Sequence, residues 1–295
     1  MLEKVTEVTE IDFGKIGTLV LAGGGNRCWW QAGALQHLLE HDVHLPANWI
    51  GTSAGAAIAA SFLVEHTESA RDACLRLFAS NPNIFDWSGL SKLKLNFAHE
   101  HVYPAWIDAF LNSSTFAALR SSPSRLTVAL TRPARWLGLG GSIIAGTLAY
   151  LVDRYLWNSI HPRLPGMLGL RQDFVVLNDC TDIHVAQATL IAAASAPPFM
   201  AARVVDGKNA MDGGYTDNAP IPTQSNEERS NTLVMLTRHY PKFPSVFHWL
   251  GRTYWQPSQR IPVSTWDCTP RATVMQAWDL GCQDSARALR SGLIR

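Results

Sequence analysis

The sequence lacks clustered positive charge and paired cysteines. Its 295 residues have a formal net charge of +1, and lysine and arginine are scattered along the chain, so nucleic acid is not an expected partner. The five cysteines are widely spaced and form no Cys-x-x-Cys pair. We therefore expect neither a disulfide framework nor a zinc knuckle, and the chain fits a reducing compartment.

The N-terminal residues do not read as a Sec signal peptide. The stretch MLEKVTEVTEIDFGKIG mixes both signs of charge and has no apolar central region. We expect a cytoplasmic protein, with peripheral contact to a membrane as a further expectation. Export by a route that needs no such signal stays open.

The sequence is 47% hydrophobic and 17% charged, which is sufficient to form the buried core of one large domain. Helical patterns cover residues 26–41, 54–64 and most of 65–120, with loops near 80–83 and 101–104. Strand patterns cover 18–22, 45–50, 126–131, 174–177, 202–205, 210–211 and 232–236. Alternating strands and helices predict an α/β fold, a three-layer α/β/α sandwich with a central, mainly parallel sheet.

Residues 51–55 read GTSAG, the Gly-x-Ser-x-Gly pattern of a nucleophile elbow. A predicted strand precedes Ser53 and an apolar helix follows it, so the amides at the start of that helix point towards the serine. Gly51 and Gly55 satisfy the need for tiny residues on either side of a sharp turn. The context predicts a serine nucleophile.

Three glycines, Gly23, Gly24 and Gly25, lie between the first strand and the first helix. Their amides can bind an oxyanion, although phosphate binding fits the same pattern. A dinucleotide site is not expected, because Cys28 occupies the position of the last glycine in that fingerprint. No Lys-Ser/Thr pair of a P-loop follows either.

A serine hydroxyl needs a base, and Asp212 is the best placed candidate. It ends a predicted hairpin and is followed by Gly213 and Gly214, which allow a tight turn around the carboxylate. Burial raises the pKa of an aspartate and makes it a better base. His239, just past the last strand, is the alternative, as the histidine of a Ser-His-Asp triad.

Two histidine pairs are candidates for metal ligands. His37 and His41 lie one helical turn apart, and His99 and His101 flank a glutamate. No third ligand is indicated for either pair, so we expect no metal.

A segment of 17 residues, which begins at Trp136 and ends at Val152, carries no charge. It is short for a bilayer span and contains four glycines, so a transmembrane helix is not favoured. Contact with a lipid surface, a cap over an active-site cleft and an ordinary buried segment stay open.

The motifs GGGNRC, GTSAG, ASAPPF and DGGYTDNAP, in this order, resemble those of the patatin-like phospholipases. The resemblance implies a Ser-Asp dyad that hydrolyses fatty-acyl esters of phospholipids or related lipids without a cofactor. It makes Ser53 the nucleophile and Asp212 the base. Gly24 and Gly25, with neighbouring amides up to Asn26 and Arg27, then form the oxyanion hole.

The resemblance also implies an organisation of the chain. Residues 1–15 are an N-terminal extension, 16–240 the catalytic domain with an insertion at about 134–172, and 241–295 a helical segment packed on the same domain. Cys28 stands where the family prefers glycine. Because cysteine resists a positive φ, this departure puts the backbone angle of the loop in question and, with it, the strength of the oxyanion hole. The alternatives are an esterase that uses His239 and a weakly active or non-catalytic lipid-binding protein.

Overall fold

The computed structural model describes residues 5–86 and 96–295. The strands are β1 Thr6–Glu7, β2 Thr18–Leu21, β3 Asn48–Thr52, β4 Phe85–Asp86, β5 Asn96–Phe97, β6 Arg125–Arg132, β7 Arg171–Val176, β8 Arg203–Val205, β9 Lys208–Asp212, β10 Thr232–Met235, β11 Val246–Trp249 and β12 Arg252–Trp255. The helices are α1 Cys28–Leu39, α2 Ala54–Leu63, α3 Thr67–Ala79, α4 His99–Phe110, α5 Ser113–Ser121, α6 Gly138–Val152, α7 Leu164–Met167, α8 Ile183–Ala193, α9 Asn226–Ser230 and α10 Val274–Arg290.

A ten-stranded sheet organises the chain, in the order β1-β11-β12-β10-β2-β3-β6-β9-β8, with β7 also paired to β6. The five central strands, β12, β10, β2, β3 and β6, run parallel. The strands outside them pair antiparallel. The predicted α/β fold is confirmed, and its parallel character resides in the centre of the sheet.

The two faces of the sheet are covered unequally. One face packs under α1, α2, α8 and α10, and alternate strand residues such as Leu19, Leu21 and Met235 point into this large core. Val20, Val234 and Tyr254 point to the other face, which loop residues such as Tyr240 cover. There α6 packs near Met211 as a second, thinner helical layer.

Two local predictions are wrong. The loop predicted at 101–104 is part of α4, which contains Pro104. One proline removes a single helical hydrogen bond, and the apolar face of α4, formed by Val102, Trp106 and Phe110, is buried against the core. Burial of that face outweighs the lost bond.

The other wrong prediction is a purely helical C-terminal segment. Residues 246–255 form the hairpin of β11 and β12, which joins the sheet, and α10 begins only at Val274. The turn places Leu250 at φ 51° and Gly251 at φ 72°. A hairpin turn with positive φ at both central residues is usually formed by Asn-Gly. The pair Leu250-Gly251 does not match this preference, so the turn is hard to predict from the sequence.

The predicted insertion lies between β6 and β7 and contains α6, a π-helical turn Asp153–Trp157 and α7. The N-terminal segment is tied to the body of the protein, since β1 pairs with β11 and Ile11 bridges to Ile294. Among the described residues, no helix is both long enough and apolar enough to cross a membrane.

Candidate active site

Ser53 occupies a strained turn between β3 and α2, with φ 54° and ψ −134°. A Cβ at Gly51 would overlap the backbone of Ala56, and a Cβ at Gly55 would lie 2.7 Å from the carbonyl oxygen of Ala22. Glycine is therefore the residue that lets β3, the turn and α2 approach so closely. The strand-turn-helix context predicted for GTSAG is present.

Asp212 is the last residue of β9, and β6 lies between β9 and β3 in the sheet. The Ser53 hydroxyl donates a 2.6 Å hydrogen bond to Oδ2 of Asp212. Oδ1 of the same carboxylate accepts a 2.7 Å bond from the Gly214 amide. Both oxygens therefore have defined partners, one of which is the serine.

The turn after Asp212 also depends on glycine. A Cβ at Gly213 would lie 2.7 Å from the carbonyl oxygen of Ala129 in β6. Gly213 thus allows the chain to turn directly against the strand, and Gly214 supplies the amide that orients the carboxylate.

Burial raises the pKa of Asp212 to about 6, while the hydrogen bonds from Ser53 and Gly214 partly offset this rise. The carboxyl is 6% exposed, as is Ser53. Desolvation destabilises the charged form of an acid, so a buried aspartate holds a proton more tightly than one in water. Such a group is a better match for the proton of a serine hydroxyl.

The glycine-rich loop offers fewer free amides than the sequence predicts. The Gly23 amide donates to the Asn218 carbonyl at 2.7 Å, the Asn26 amide to Thr265 at 3.2 Å, and the Arg27 amide to Gly24 at 3.2 Å. Within the described chain, the Gly24 and Gly25 amides have no backbone acceptor. The available donors of this loop are therefore those of Gly24 and Gly25.

The Ala54 amide is a further donor, outside the predicted set of the glycine-rich loop. Ala54 follows the serine and begins α2, where the first amides of a helix have no partner in the helix itself. In a nucleophile elbow the amide after the serine faces the oxyanion. The Gly-x-Ser-x-Gly motif alone is therefore sufficient to identify the amide after the serine as a candidate oxyanion donor.

Distant residues hold the loop in place. Thr237, just beyond β10, donates a 2.5 Å hydrogen bond to the Gly23 carbonyl. Gly25 has φ 56°, and a Cβ there would overlap the carbonyl oxygen of Thr265. The Asn26 side chain donates to the carbonyls of Ser264 and Asp267 at 3.0 and 2.6 Å.

The concern over Cys28 is wrong. Cys28 begins α1 with φ −66°, and the positive φ of the loop falls at Gly25 instead. The Cys28 side chain is buried, and its sulfur lies 3.5 Å from the Ala22 carbonyl oxygen. Cysteine is therefore compatible with the backbone angle at this position.

The loop after Asp212 is tied to the insertion. Oδ2 of Asp217 lies 2.6 Å from Nδ1 of His161, and Nε2 of His161 lies 2.9 Å from the Tyr254 hydroxyl. Asp217 also accepts the Ala219 amide at 2.9 Å. These contacts fix the segment whose Asn218 carbonyl binds Gly23, an arrangement that local sequence cannot reveal.

The candidate histidine of a triad lies elsewhere. Nδ1 of His239 donates to the Pro257 carbonyl at 2.9 Å. Among the described residues, no histidine nitrogen forms a hydrogen bond with Ser53 or Asp212. His37 and His41 stack on each other. The described part of the chain contains no cluster of three metal-ligating side chains.

Ser53 lies where two cavities meet. One, of about 230 Å³, is also lined by Asp212, Gly24, Gly25 and Tyr215. The other, of about 50 Å³, has a mostly apolar wall that includes Trp29, Ile58, Phe78, Val102 and Trp106. His99 lines this smaller cavity, and burial lowers its pKa to about 4.

Helix α6 borders the larger cavity and exposes apolar side chains next to it. Thr147, Tyr150 and Leu151 line the cavity, and Ile144 and Leu148, on the adjoining strip of the helix surface, are 63% and 57% exposed. Exposed apolar side chains continue beyond the helix at Trp136, Leu156, Trp157 and Met167. The expectation of an ordinary buried segment is wrong for this face of α6.

Comparisons with known proteins identify related sequences and folds. The family model described as patatin-like phospholipase matches residues 19–223, a range that includes Ser53 and Asp212. Among solved structures, the chain is similar to VipD from Legionella pneumophila, at 12% sequence identity and a TM-score of 0.45, over 99% of this chain and 71% of that chain. The search of curated proteins gives no match.

Proposed function

The chain belongs to the patatin-like phospholipase family, a family of lipid acyl hydrolases, and from this premise we propose that it cleaves fatty-acyl esters of phospholipids or related lipids through a Ser53-Asp212 dyad. The observation that carries the proposal is the 2.6 Å hydrogen bond from the Ser53 hydroxyl to Asp212. It joins the nucleophile directly to a base, with no histidine between them.

In the first step Ser53 Oγ attacks the ester carbonyl carbon, and its proton passes to Oδ2 of Asp212. The carbonyl oxygen becomes an oxyanion, which the amides of Gly24, Gly25 and Ala54 stabilise. These donors are fixed before the reaction, so they need no reorganisation as charge develops.

In the second step the tetrahedral intermediate collapses, the bond to the leaving alcohol breaks, and Asp212 returns the proton to that alcohol. The acyl group then rests on Ser53 as an ester. Water attacks this ester while Asp212 takes a proton from the water, and the free fatty acid leaves as Ser53 regains its proton.

The two cavities divide the substrate between them. The smaller cavity has a wall of buried aromatic and aliphatic side chains and a volume of about 50 Å³, so it suits the few carbon atoms of the acyl chain nearest the ester. The larger cavity reaches the surface beside α6 and suits the alcohol portion. The exposed apolar face of α6 is the proposed contact with the membrane surface in which such lipids lie.

The test compares Asp212→Asn with His239→Ala on a fatty-acyl ester and measures labelling of Ser53 by an organophosphonate. A dyad predicts that Asp212→Asn loses at least about a thousandfold in kcat, as loss of a catalytic base does in other serine hydrolases. His239→Ala keeps most of its activity. Mass spectrometry locates the phosphonate on Ser53.

Other patterns identify the alternatives. Loss of activity in both His239→Ala and Asp212→Asn supports the Ser-His-Asp esterase, in which Asp212 orients His239. Absence of both hydrolysis and a Ser53 adduct in folded protein supports the non-catalytic lipid-binding protein.

A further inference from the structure

Besides the two cavities, a groove opens next to the larger cavity that Ser53 lines. Its volume is about 1120 Å³, and it lies between the insertion, the segment after β10 and the segment after β12. Arg27, Tyr150, Leu151, Thr265 and Trp266 line both the groove and the cavity. The two spaces therefore adjoin each other.

The lining of the groove is strongly cationic for a chain of net charge +1. Arg27, Arg238 and Arg260 contribute three guanidinium groups, and His239 lies beside them. Within the described chain, no aspartate or glutamate lines the groove. Such a concentration of one charge sign favours an anionic ligand.

Arg238 is held by the insertion. Its Nη1 lies 3.8 Å from Oδ2 of Asp153 and 3.3 Å from Oδ1 of Asn158. Burial raises the pKa of Asp153, and Arg238 acts against that rise. Asp153 is the carboxylate that faces this guanidinium, and it engages the Nη1 side.

At the other end of the guanidinium, Nη2 of Arg238 is buried and has no acceptor at hydrogen-bond distance within the described chain. The guanidinium also interacts with the Tyr240 hydroxyl, which acts against the rise that burial causes in the pKa of Tyr240. A buried guanidinium nitrogen without a close acceptor is costly, and such an atom in a native protein calls for an explanation. Arg260, in contrast, is exposed on the rim. The pair therefore offers one fixed guanidinium in the wall of the groove and one adaptable cation at its edge.

On these grounds we propose that the groove binds the phosphate of an anionic phospholipid headgroup, with Arg238 and Arg260 as the principal contacts. The inference rests on the proposed acyl hydrolase function and specifies its substrate class. In a glycerophospholipid, only a few bonds separate the ester from the phosphate, and the groove joins the cavity that contains the nucleophile. Guanidinium groups bind phosphate oxygens through paired hydrogen bonds.

The first experiment measures selectivity. The protein hydrolyses phosphatidylglycerol or a diacylglycerol with the same acyl chains, each in the same neutral detergent micelles. We expect Arg260→Gln and Arg238→Lys to reduce the ratio of kcat/KM for the two substrates about tenfold, the effect of losing one charge-assisted hydrogen bond. Arg120→Gln, which removes an equal charge from the exposed end of α5, leaves the ratio unchanged.

The second experiment does not depend on hydrolysis. Inorganic phosphate is titrated into the Ser53→Ala protein, with tryptophan fluorescence as the signal, since Trp266 lines the groove. We expect the added change Arg260→Gln to weaken phosphate binding about tenfold. Arg120→Gln again serves as the control.

The outcomes separate the inference from the function it rests on. Equal lipid selectivity in the wild type, Arg260→Gln and Arg238→Lys overturns the headgroup site while the hydrolase stands. Phosphate binding that depends on Arg260 without a preference for phosphatidylglycerol assigns the groove to a soluble phosphate compound and also overturns it. If no ester is hydrolysed, the proposed function fails, and Arg260-dependent binding of phosphate still identifies the groove as a phosphate site.

Discussion

Asp212 and helix α6 border the same cavity, and the buried acid and the exposed face of the helix depart from ordinary burial in opposite directions. Asp212, an acid, is 6% exposed, whereas Ile144 and Leu148, both aliphatic, are 63% and 57% exposed. Burying a carboxylate and exposing a contiguous apolar surface both act against stability. The proposed function gives each a chemical use, the first for taking a proton and the second for meeting lipid.

The glycines of the nucleophile elbow and those of α6 also differ, in how closely other atoms surround them. At Gly51 and Gly55 a Cβ would strike backbone atoms of a neighbouring element, whereas at Gly138 and Gly140 a Cβ would meet nothing within 4 Å. Gly146 is the exception in α6, since a Cβ there would overlap the ring of Tyr215. Packing therefore requires glycine throughout the elbow and at one point of α6.

The strongest test of this contrast is Gly51→Ala beside Gly140→Ala. The added methyl at position 51 would overlap the Ala56 backbone, so we expect a loss of more than about 3 kcal/mol in the free energy of unfolding and loss of ester hydrolysis. Alanine at 140, within α6, stabilises a helix by up to about 1 kcal/mol. Urea unfolding measures both, and equal effects would contradict the contrast.

A second test concerns how much the ionised Asp212 carboxylate destabilises the folded state. Its pKa rises from 3.8 to about 6 on folding, so the folded state binds the proton more tightly than the unfolded state. The stabilisation that protonated Asp212 gives the folded state is fully present at pH values below 3.8, its pKa in the unfolded chain. This stabilisation is lost as the pH rises through about 6. The ionised carboxylate thus destabilises the folded state by about 3 kcal/mol at pH 8.

Asp212→Asn removes this effect. We expect the variant to be more stable than the wild type at pH 8 by up to about 3 kcal/mol, and the difference to close towards pH 4. Urea unfolding at both pH values measures it. A less stable variant at pH 8 would show that the hydrogen bonds of Asp212 outweigh its burial.

The pH dependence of hydrolysis gives the third test. Asp212 acts as a base only when ionised, so kcat/KM should fall about tenfold per pH unit below pH 6 and level off above it. Burial is the first cause of the raised pKa. His239→Ala serves as the control and should show the same profile. A flat profile down to pH 4 would mean that the base has the pKa of an ordinary surface aspartate.

Much of the fold was predictable because its signals are local. The core strands and the turn after β3 follow from short apolar runs and glycines, and β2 begins at Thr18 as the sequence predicts. The availability of the oxyanion amides was not predictable. It depends on Asn218 and Thr265, which accept the amides of Gly23 and Asn26 across about two hundred residues of sequence.

Which side chains of α6 are buried and which are exposed was equally unpredictable from the sequence. Nothing in the uncharged composition of α6 distinguishes Ser142, which is buried and accepts the Ala134 amide at 2.9 Å, from Ile144, which is exposed. The apolar residues cover the whole circumference of the helix, so no period in the sequence marks its buried face. Tertiary contacts, such as the packing of Gly146 against Tyr215 and the bond from the Ala134 amide to Ser142, fix which side faces the sheet.

The smallest expected effect concerns that exposed side. Replacing Ile144 and Leu148 by serine removes apolar area that would enter a lipid surface, and we expect binding to phosphatidylcholine vesicles to weaken about tenfold. Sedimentation with vesicles measures this. Leu39→Ser is the matched control, because Leu39 is 42% exposed at the end of α1, in the helical layer on the opposite face of the sheet. If Leu39→Ser weakens binding as much as the α6 variant, the membrane contact is not specific to α6, and its exposed face needs another explanation.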